Sequence, residues 1–141
     1  MARNKTHIKN LPEFYDKMKR LSKIQRHDIL LAAAKAGMQI IRNAALRHYT
    51  EKGIRKTGTL GRSLKIRQLE SKNAYARVAL GTNVKYAKRV EFGFEGADSL
   101  GRVYHQQAQP YLRPAFDEER DNAVDEVKAN LESALDNLGV T

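Results

Sequence analysis

Two glycines among basic residues give the segment 56–66 the most evident chemistry in this chain. Gly58 and Gly61 are separated by two residues, and between Lys52 and Leu69 there are six basic residues and no acidic one. Such a run of positive charge predicts a polyanion or an acidic protein surface as its neighbour. The segment is therefore a candidate phosphate-binding loop or a candidate assembly contact.

The spacing of the glycines argues against two known phosphate loops. A Walker-type loop needs four residues between its glycines and a Lys-Ser or Lys-Thr pair after the second, whereas here two residues intervene and Arg62-Ser63 follows. A KH loop has the Gly-x-x-Gly spacing and clamps a nucleic-acid backbone, but it joins two helices, and here a strand pattern follows directly. We favour a helix-to-strand turn whose glycines allow a positive φ or a close backbone approach. The alternative is a small basic nucleic-acid-binding module that uses the Lys52–Arg67 segment, with these residues neutralising phosphates: Lys56, Arg62, Lys65 and Arg67.

The remaining reactive residues do not combine into a catalytic or metal site. Cysteine is absent, which excludes disulfides, thiolate zinc sites and cysteine nucleophiles. Lys56-Thr57-Gly58 matches one fragment of the serine β-lactamase motifs, but no Ser-x-x-Lys supplies a nucleophile. The four histidines are scattered without metal-binding spacing. We predict a protein that is not an enzyme and has no cofactor or metal.

Glu91 differs from the other acidic residues because apolar and basic residues surround it in the segment Tyr86–Gly93. A lone carboxylate needs a partner acid or base for general acid–base catalysis, and no such catalytic partner is evident in the sequence. We therefore predict an ion pair with Arg89 or with a basic residue of the Lys52–Arg67 segment.

The N-terminal part of the chain has a helical pattern that would position these candidates. Residues 1–10 are polar and basic and are predicted to form a flexible arm. Apolar residues recur at helical spacing over 11–50, with a slip near Ile24–Asp28 that fits two helices or one bent helix. The small residues of Ala32–Gly37 predict close approach of another backbone.

The rest of the chain predicts a hairpin, a short helix, a loop and a last helix. Within 57–109, alternation at 64–67 and 75–80 indicates an antiparallel hairpin, and 84–92 a short helix. Residues 95–109 are predicted as a loop, with a short strand at Arg102–Gln106 as the alternative.

The last helix is predicted over 114–138, with Pro114 in its first turn and acidic residues 117–119 where the helix dipole favours negative charge. Its apolar positions recur every three or four residues and include Phe116 and Val124. This order of elements predicts an α+β fold, a small antiparallel β-sheet covered on one face by a long N-terminal helix and a C-terminal helix. The length fits a single domain over residues 1–141.

Charge is distributed unevenly over this domain. The formal net charge is +10, yet residues 117–138 contain eight acidic and two basic residues, a balance of −6, so the rest of the chain has +16. Such polarity suits a basic nucleic-acid face, or subunits that meet head to tail. Glu118, Glu119 and Asp125 are therefore candidate subunit-interface acids. No secretion signal or membrane-spanning run is expected.

Three short motifs follow one another along the chain: Thr57-Gly58-Thr59-Leu60-Gly61-Arg62-Ser63, then Tyr86-Ala87 with Glu91-Phe92-Gly93, then Pro110-Tyr111-Leu112-Arg113-Pro114-Ala115. They resemble the tail-completion, or head-tail joining, proteins of long-tailed bacteriophages. The pattern of that family has a Thr-Gly-x-Leu-x-x-Ser segment after a long helix, a Tyr-Ala…Glu-[Phe/Tyr]-Gly segment, and a Pro-[Phe/Tyr]-Leu-x-Pro-Ala entry to the last helix. Phe94 departs from the family, which usually has Thr or another small polar residue there. The matching residues are taken as architectural: Thr57, Gly58, Leu60, Ser63, Tyr86, Glu91, Phe92, Gly93, Pro110, Leu112 and Pro114.

The resemblance implies a non-enzymatic virion protein that forms a homo-oligomeric ring, a hexamer or dodecamer, at the neck. Its partners would be a connector or stopper protein and the tail-tube protein, with genomic DNA in the lumen and no membrane. It would be found in the virion neck or tail, and in the host cytoplasm during assembly. Four basic residues would face the lumen or a neighbouring subunit: Lys56, Arg62, Lys65 and Arg67.

Overall fold

The computed structural model describes residues 11–53, 58–72 and 75–139. The predicted arm at 1–10 and the predicted contacts Lys56 and Thr57 lie outside these ranges. The elements in chain order are α1 (Leu11–Lys19), α2 (Lys23–Glu51), α3 (Thr59–Ser63), β1 (Lys65–Gln68), β2 (Val78–Gly81), α4 (Ala87–Phe92), β3 (Phe94–Ala97), β4 (Val103–Gln106) and α5 (Leu112–Asn137).

A capping box at Ser22 makes α1 and α2 separate helices. The Ser22 hydroxyl accepts a hydrogen bond from the Gln25 backbone N–H, and the Gln25 side chain accepts one from the Ser22 N–H, each at 3.1 Å. Together they satisfy donors that a helix start leaves open. The break falls at 20–22, earlier than the predicted slip at Ile24–Asp28.

α5 lies along α2, and a glycine permits the close approach of the two helices. A Cβ built on Gly37 would be 2.6 Å from Val127 Cγ2 and 2.9 Å from the Ala123 carbonyl oxygen. Both distances are shorter than a real Cβ contact, so a side chain at this position would push the helices apart. The predicted close packing around Ala32–Gly37 is confirmed at Gly37.

α2 is also long and apolar enough, by length and composition alone, to pass as a membrane span. A core helix of a soluble protein passes the same test. In this structure α2 contacts α5 and both strands of the first sheet, and its buried residues include Ala33, Ile41 and Ala45. We interpret its hydropathy as that of a central core helix.

The described strands form two separate antiparallel pairs. β1 pairs with β2, with Ile66 opposite Leu80. β3 pairs with β4, with Glu95 opposite His105. The α+β class is confirmed, and in detail the sheet is two pairs, with α2 against β1–β2 and α5 packed on α2.

The second pair occupies the region predicted as a loop, so the loop prediction over 95–109 is wrong and the alternative strand at Arg102–Gln106 is right. The turn closes because the Asp98 carboxylate accepts backbone hydrogen bonds from Leu100 at 2.9 Å and Arg102 at 3.0 Å. Phe94 begins β3, with the Arg89 guanidinium 3.9 Å from its ring centroid. A glycine within β3 and the polar residues after it hide the strand pattern in the sequence.

Two clusters of buried apolar side chains form the core. The larger one joins α2, α3, α4 and the start of α5, and Leu60, Leu64 and Tyr111 are its most completely buried large side chains. The smaller one contains Met18, Leu21 and Leu135 and links α1 to the end of α5. All three sequence motifs contribute to the larger cluster, which therefore positions the candidate site.

Candidate assembly site

Glu91 joins α4 to the start of α5. Its side chain is buried, and its carboxylate accepts hydrogen bonds from the backbone N–H groups of Tyr111 at 2.9 Å, Leu112 at 3.1 Å and Arg113 at 2.9 Å. These are among the donors that a helix start leaves without a partner. A carboxylate at this end also interacts favourably with the helix dipole. Glu91 is therefore an external N-cap for α5.

Among the residues that the structure describes, Glu91 forms no ion pair with Arg89 or with a basic residue of the Lys52–Arg67 segment; Arg55 and Lys56 of that segment lie outside the described residues. The acidic residues at 117–119 were also expected to supply the negative charge, but the first turn of α5 contains no acid, because the helix begins at Leu112. Pro114 does lie in that first turn. Tyr111 occupies the N-cap position of α5, and its side chain makes no capping hydrogen bond.

Tyr111 is buried beside this cap. Its ring packs edge to face on Tyr49, with centroids 6.0 Å apart, and its hydroxyl has no hydrogen-bond partner among the residues that the structure describes. Burial, and secondarily the charge of Glu91, raises the pKa of Tyr111 to about 12. The phenol is therefore neutral at physiological pH and serves as a packing group.

The glycine pair lies at the start of a short helix, which corrects the predicted turn. Gly58 has φ 75° and precedes α3, while Gly61 lies within it, where a Cβ would be 3.0 Å from the Tyr49 ring. Gly58 confirms the predicted positive φ, and Gly61 confirms the predicted close approach. Gly61 is part of α3, so β1 does not follow the glycines directly as the sequence indicated. The Tyr49 ring covers the side of Gly61 on which a Cβ would lie.

Two further contacts attach α3 to the rest of the molecule. The Ser63 hydroxyl lies 2.5 Å from the Thr82 hydroxyl, and the Arg42 guanidinium donates to the Leu64 carbonyl oxygen at 3.0 Å. Leu60 is buried. Arg42 and Thr82 were not identified from the sequence, where nothing distinguishes them from other polar residues.

The described basic candidates lie on the surface. Arg62, Lys65 and Arg67 are exposed, and Lys65 and Arg67 share one face of β1. Their cross-strand neighbours are small, Gly81 and Ala79, so neither basic side chain is covered by a bulky partner across the pair. The structure brings these two charges together on one face.

The segment Tyr86–Gly93 has an inner and an outer side. Ala87 and Val90 are in the core, whereas Tyr86 is 45% and Phe92 71% exposed. Gly93 has φ 75°, and a Cβ there would be 2.8 Å from the Gln106 carbonyl oxygen. This glycine lets the chain turn from α4 directly into the second hairpin.

The candidate interface acids differ in their surroundings. Glu118 accepts from the Arg47 guanidinium at 2.8 Å and lies 2.7 Å from His48 Nε2. The His48 hydrogen bond, followed by the charge of Arg47, lowers the pKa of Glu118 despite some desolvation. Glu119 lies 3.9 Å from Arg47, while Asp125 is exposed. Sequence reasoning missed Arg47 and His48, since their partner is about 70 positions away.

Pro110 and Leu112 complete the architectural set. The Pro110 carbonyl accepts from the Lys52 ammonium at 2.6 Å, and Leu112 packs against the larger core cluster. Phe116 and Val124 depart from their apolar pattern, because they are 46% and 37% exposed. Among the residues that the structure describes, no group of three His, Asp or Glu side chains could hold a metal ion.

A family model described as "Bacteriophage HK97-gp10, putative tail-component" matches residues 12–93. The match includes α1 to α4 and ends at Gly93, so it contains Glu91 but not α5. No curated protein and no solved structure matches the chain.

Proposed function

The chain belongs to the HK97-gp10-like family of bacteriophage tail components, and from this premise we propose that it completes the tail and joins it to the head. In this proposal the subunits form a hexameric or dodecameric ring at the neck, between a connector or stopper protein and the tail-tube protein. The protein acts by assembly and without catalysis. It reaches the virion neck from the host cytoplasm, where the ring is built.

The family match is the observation that carries this proposal. The arrangement of the motifs supports it, because all three converge on one buried cluster and so specify a rigid subunit. Ring subunits must hold the same shape at every position. The residues that would contact partners are then on the outside of this cluster, on α5, on β1–β2 and on the β3–β4 hairpin.

Mass measurement of the native particle, with negative-stain imaging, tests the proposal. The chain is examined alone and mixed with the portal-side connector and tail-tube proteins of the same genome. We expect a closed ring in at least one mixture. A chain that stays monomeric with all of these partners would refute it.

A second function has one specific observation in its favour, the pair of basic side chains on one face of β1. Lys65 and Arg67 could neutralise phosphates of DNA, either free or within the ring lumen. Replacing both with Ala should then remove about two units from the slope of log affinity against log salt concentration. Wild-type protein that binds no free DNA at low salt, yet still assembles, would reject a free nucleic-acid-binding module.

A further inference from the structure

The hairpin of β3 and β4 has a strand edge without the features that usually keep edges from pairing. Natural edges are protected by lysine, proline or a covering element. β4 contains neither lysine nor proline and is exposed throughout, whereas β1 carries Lys65 and Arg67. β3 and β4 contact chiefly each other, and a two-stranded hairpin is marginally stable without further packing. The β4 edge is therefore a candidate for pairing with another strand.

The register fixes which backbone groups lie on the outer edges of the hairpin. The Asp98 N–H donates to the Arg102 carbonyl oxygen at 2.9 Å, so these two residues form a hydrogen-bonded pair. Hydrogen-bonded and non-hydrogen-bonded pairs alternate along an antiparallel ladder. Two residues on each strand therefore direct their N–H and C=O groups outwards: Glu95 and Ala97 on β3, Val103 and His105 on β4. No residue among those that the structure describes hydrogen-bonds to these outward groups.

The hairpin is held in a fixed shape at both ends. At its tip, the Asp98 carboxylate accepts from the Leu100 and Arg102 backbone N–H groups, and from the Arg102 guanidinium at 2.7 Å. Beyond β4, the Gln109 N–H donates to the Val90 carbonyl oxygen of α4 at 2.7 Å. The two outer edges are thus presented on an ordered hairpin, which reduces the entropy lost on docking.

The chain itself contains a strand that fits the β4 edge. The outward groups of β3 have the same two-residue spacing as those of β4, so two pairs can form between subunits, each exchanging two hydrogen bonds. The register that joins them places Val103 opposite Ala97 and His105 opposite Glu95, as within the hairpin. Side chains that meet across such a contact are therefore of the types that already pair. The match is made by backbone groups and does not depend on charge.

We propose that β4 of one subunit pairs antiparallel with β3 of a second copy of this chain, with Val103 opposite Ala97 of the partner subunit. The two edges differ, so the contact is head to tail and closes into a ring when repeated by rotation. The hairpins then form one continuous sheet that has no free edge. The inference rests on the proposed ring and assigns the strands that join its subunits.

The absence of cysteine allows the register to be tested by disulfide formation. Ala97→Cys and Val103→Cys subunits are mixed with the connector and tail-tube proteins and oxidised, in parallel with a control mixture of Ala97→Cys and His105→Cys. Each subunit has one cysteine, so every disulfide joins two subunits. Directly opposite residues have Cα atoms about 5.5 Å apart, within disulfide range, whereas diagonal ones are about 7–8 Å apart. We expect the first mixture to give the mixed disulfide at several times the yield of the control, and equal yields would overturn the assignment.

A third mixture separates the head-to-tail contact from a symmetric one. If β4 paired antiparallel with β4 of the partner subunit, the outward groups of Val103 would meet those of His105 of the partner subunit. Val103→Cys and His105→Cys subunits would then give the main disulfide. We expect this mixture to give no more than the control yield, and a dominant disulfide here would overturn the proposal.

A proline substitution tests whether the contact uses the backbone. His105→Pro removes an outward N–H but no hydrogen bond within the hairpin, because His105 belongs to a non-hydrogen-bonded pair. His105→Ala is the matched control, since it removes the imidazole and keeps the N–H. We expect the protein concentration at half-assembly to rise roughly tenfold for His105→Pro and to stay within about threefold of wild type for His105→Ala.

Hydrogen exchange at the Gly96 and Tyr104 amides, which lie within the hairpin ladder, verifies that His105→Pro keeps the hairpin. Unchanged assembly of His105→Pro would overturn the proposal. An equal loss in His105→Ala would also overturn it, because the contact would then depend on the imidazole. The disulfide yields decide the assignment if the proline variant loses its hairpin.

The disulfide and the ring give independent results. Rings without the disulfide between positions 97 and 103 would mean that the ring uses other surfaces, which overturns the strand pairing alone. The disulfide without rings at the neck would support the strand pairing and reject the proposed function. Each outcome therefore identifies which of the two inferences fails.

Discussion

Removing the Glu91 carboxylate should destabilise the whole domain through the start of α5. In the Glu91→Ala variant, the N–H groups of Tyr111, Leu112 and Arg113 lose their acceptor. A hydrogen bond to a charged group contributes about 1.5–3 kcal/mol, and a buried donor left unpaired costs about 1–3 kcal/mol. Because water can reach part of this site and the three bonds share one side chain, the losses are not additive. We expect a loss of about 4 kcal/mol in the free energy of unfolding.

Glu91→Gln should have a smaller effect because the amide keeps one acceptor oxygen. That oxygen can replace the carboxylate oxygen Oε2, which serves both Tyr111 and Leu112, while the amide nitrogen then faces the Arg113 N–H. One bond and the interaction of the charge with the helix dipole are lost. We expect about 2 kcal/mol of destabilisation.

Urea unfolding at neutral pH measures these differences. For a domain of this size the Glu91→Ala change corresponds to a fall in Tm of roughly 10–15 °C. Hydrogen exchange should also accelerate at the amides of Tyr111–Arg113. Glu95→Ala is the matched control, since Glu95 is an exposed carboxylate in β3 and its removal should change stability by less than about 0.5 kcal/mol. A Glu91→Ala variant within about 1 kcal/mol of wild type would refute the capping role.

Three further changes test other contacts. Gly37→Ala should lower the free energy of unfolding by about 1–3 kcal/mol despite the better helix propensity of Ala, because the new methyl group overlaps Val127. An unchanged midpoint in urea unfolding would contradict this prediction. Gly93→Ala should cost about 2–3 kcal/mol, since its φ of 75° and the Gln106 carbonyl both exclude a Cβ, and it should loosen the hairpin in hydrogen exchange. Glu118 has a pKa lowered from 4.5, so its contribution to stability is present above pH 4.5 and lost as the pH falls through the lowered value. Glu118→Gln should therefore be less stable than wild type at pH 7 and lose that difference in acid, and a difference that grows in acid would contradict the assignment.

Local sequence patterns were sufficient to predict the strands and helices whose side chains alternate or recur regularly. The β1–β2 hairpin was predictable because Ile66 and Leu80 alternate with polar or small neighbours. The close approach at Gly37 was predictable because it lies in a run of small residues within a helix. In both cases the residues that define the element are neighbours along the chain.

The second hairpin and the Glu91 cap depend on information that local patterns do not contain. β4 is exposed throughout, so no buried face imposes alternation on it. The acceptor for the start of α5 comes from about 20 positions away, and a carboxylate among basic residues suggests an ion pair more readily than a cap. The prediction that Phe116 and Val124 belong to the apolar face of α5 was wrong for a related reason. Periodicity shows which residues share a helix face, but it does not show what covers that face.

The family match ends at Gly93, yet residues within it fix the position of the helix that follows. Glu91 caps the first turn of α5, and Gly37 admits α5 against α2 near Ala123. Both contacts use atoms that do not depend on the outer side chains of α5, namely backbone N–H groups and a backbone carbonyl. The outer face of α5 can therefore change in sequence without moving the helix. In the proposed ring, changes on the outer face of α5 could therefore fit the subunit to a particular neighbour while its frame stays the same.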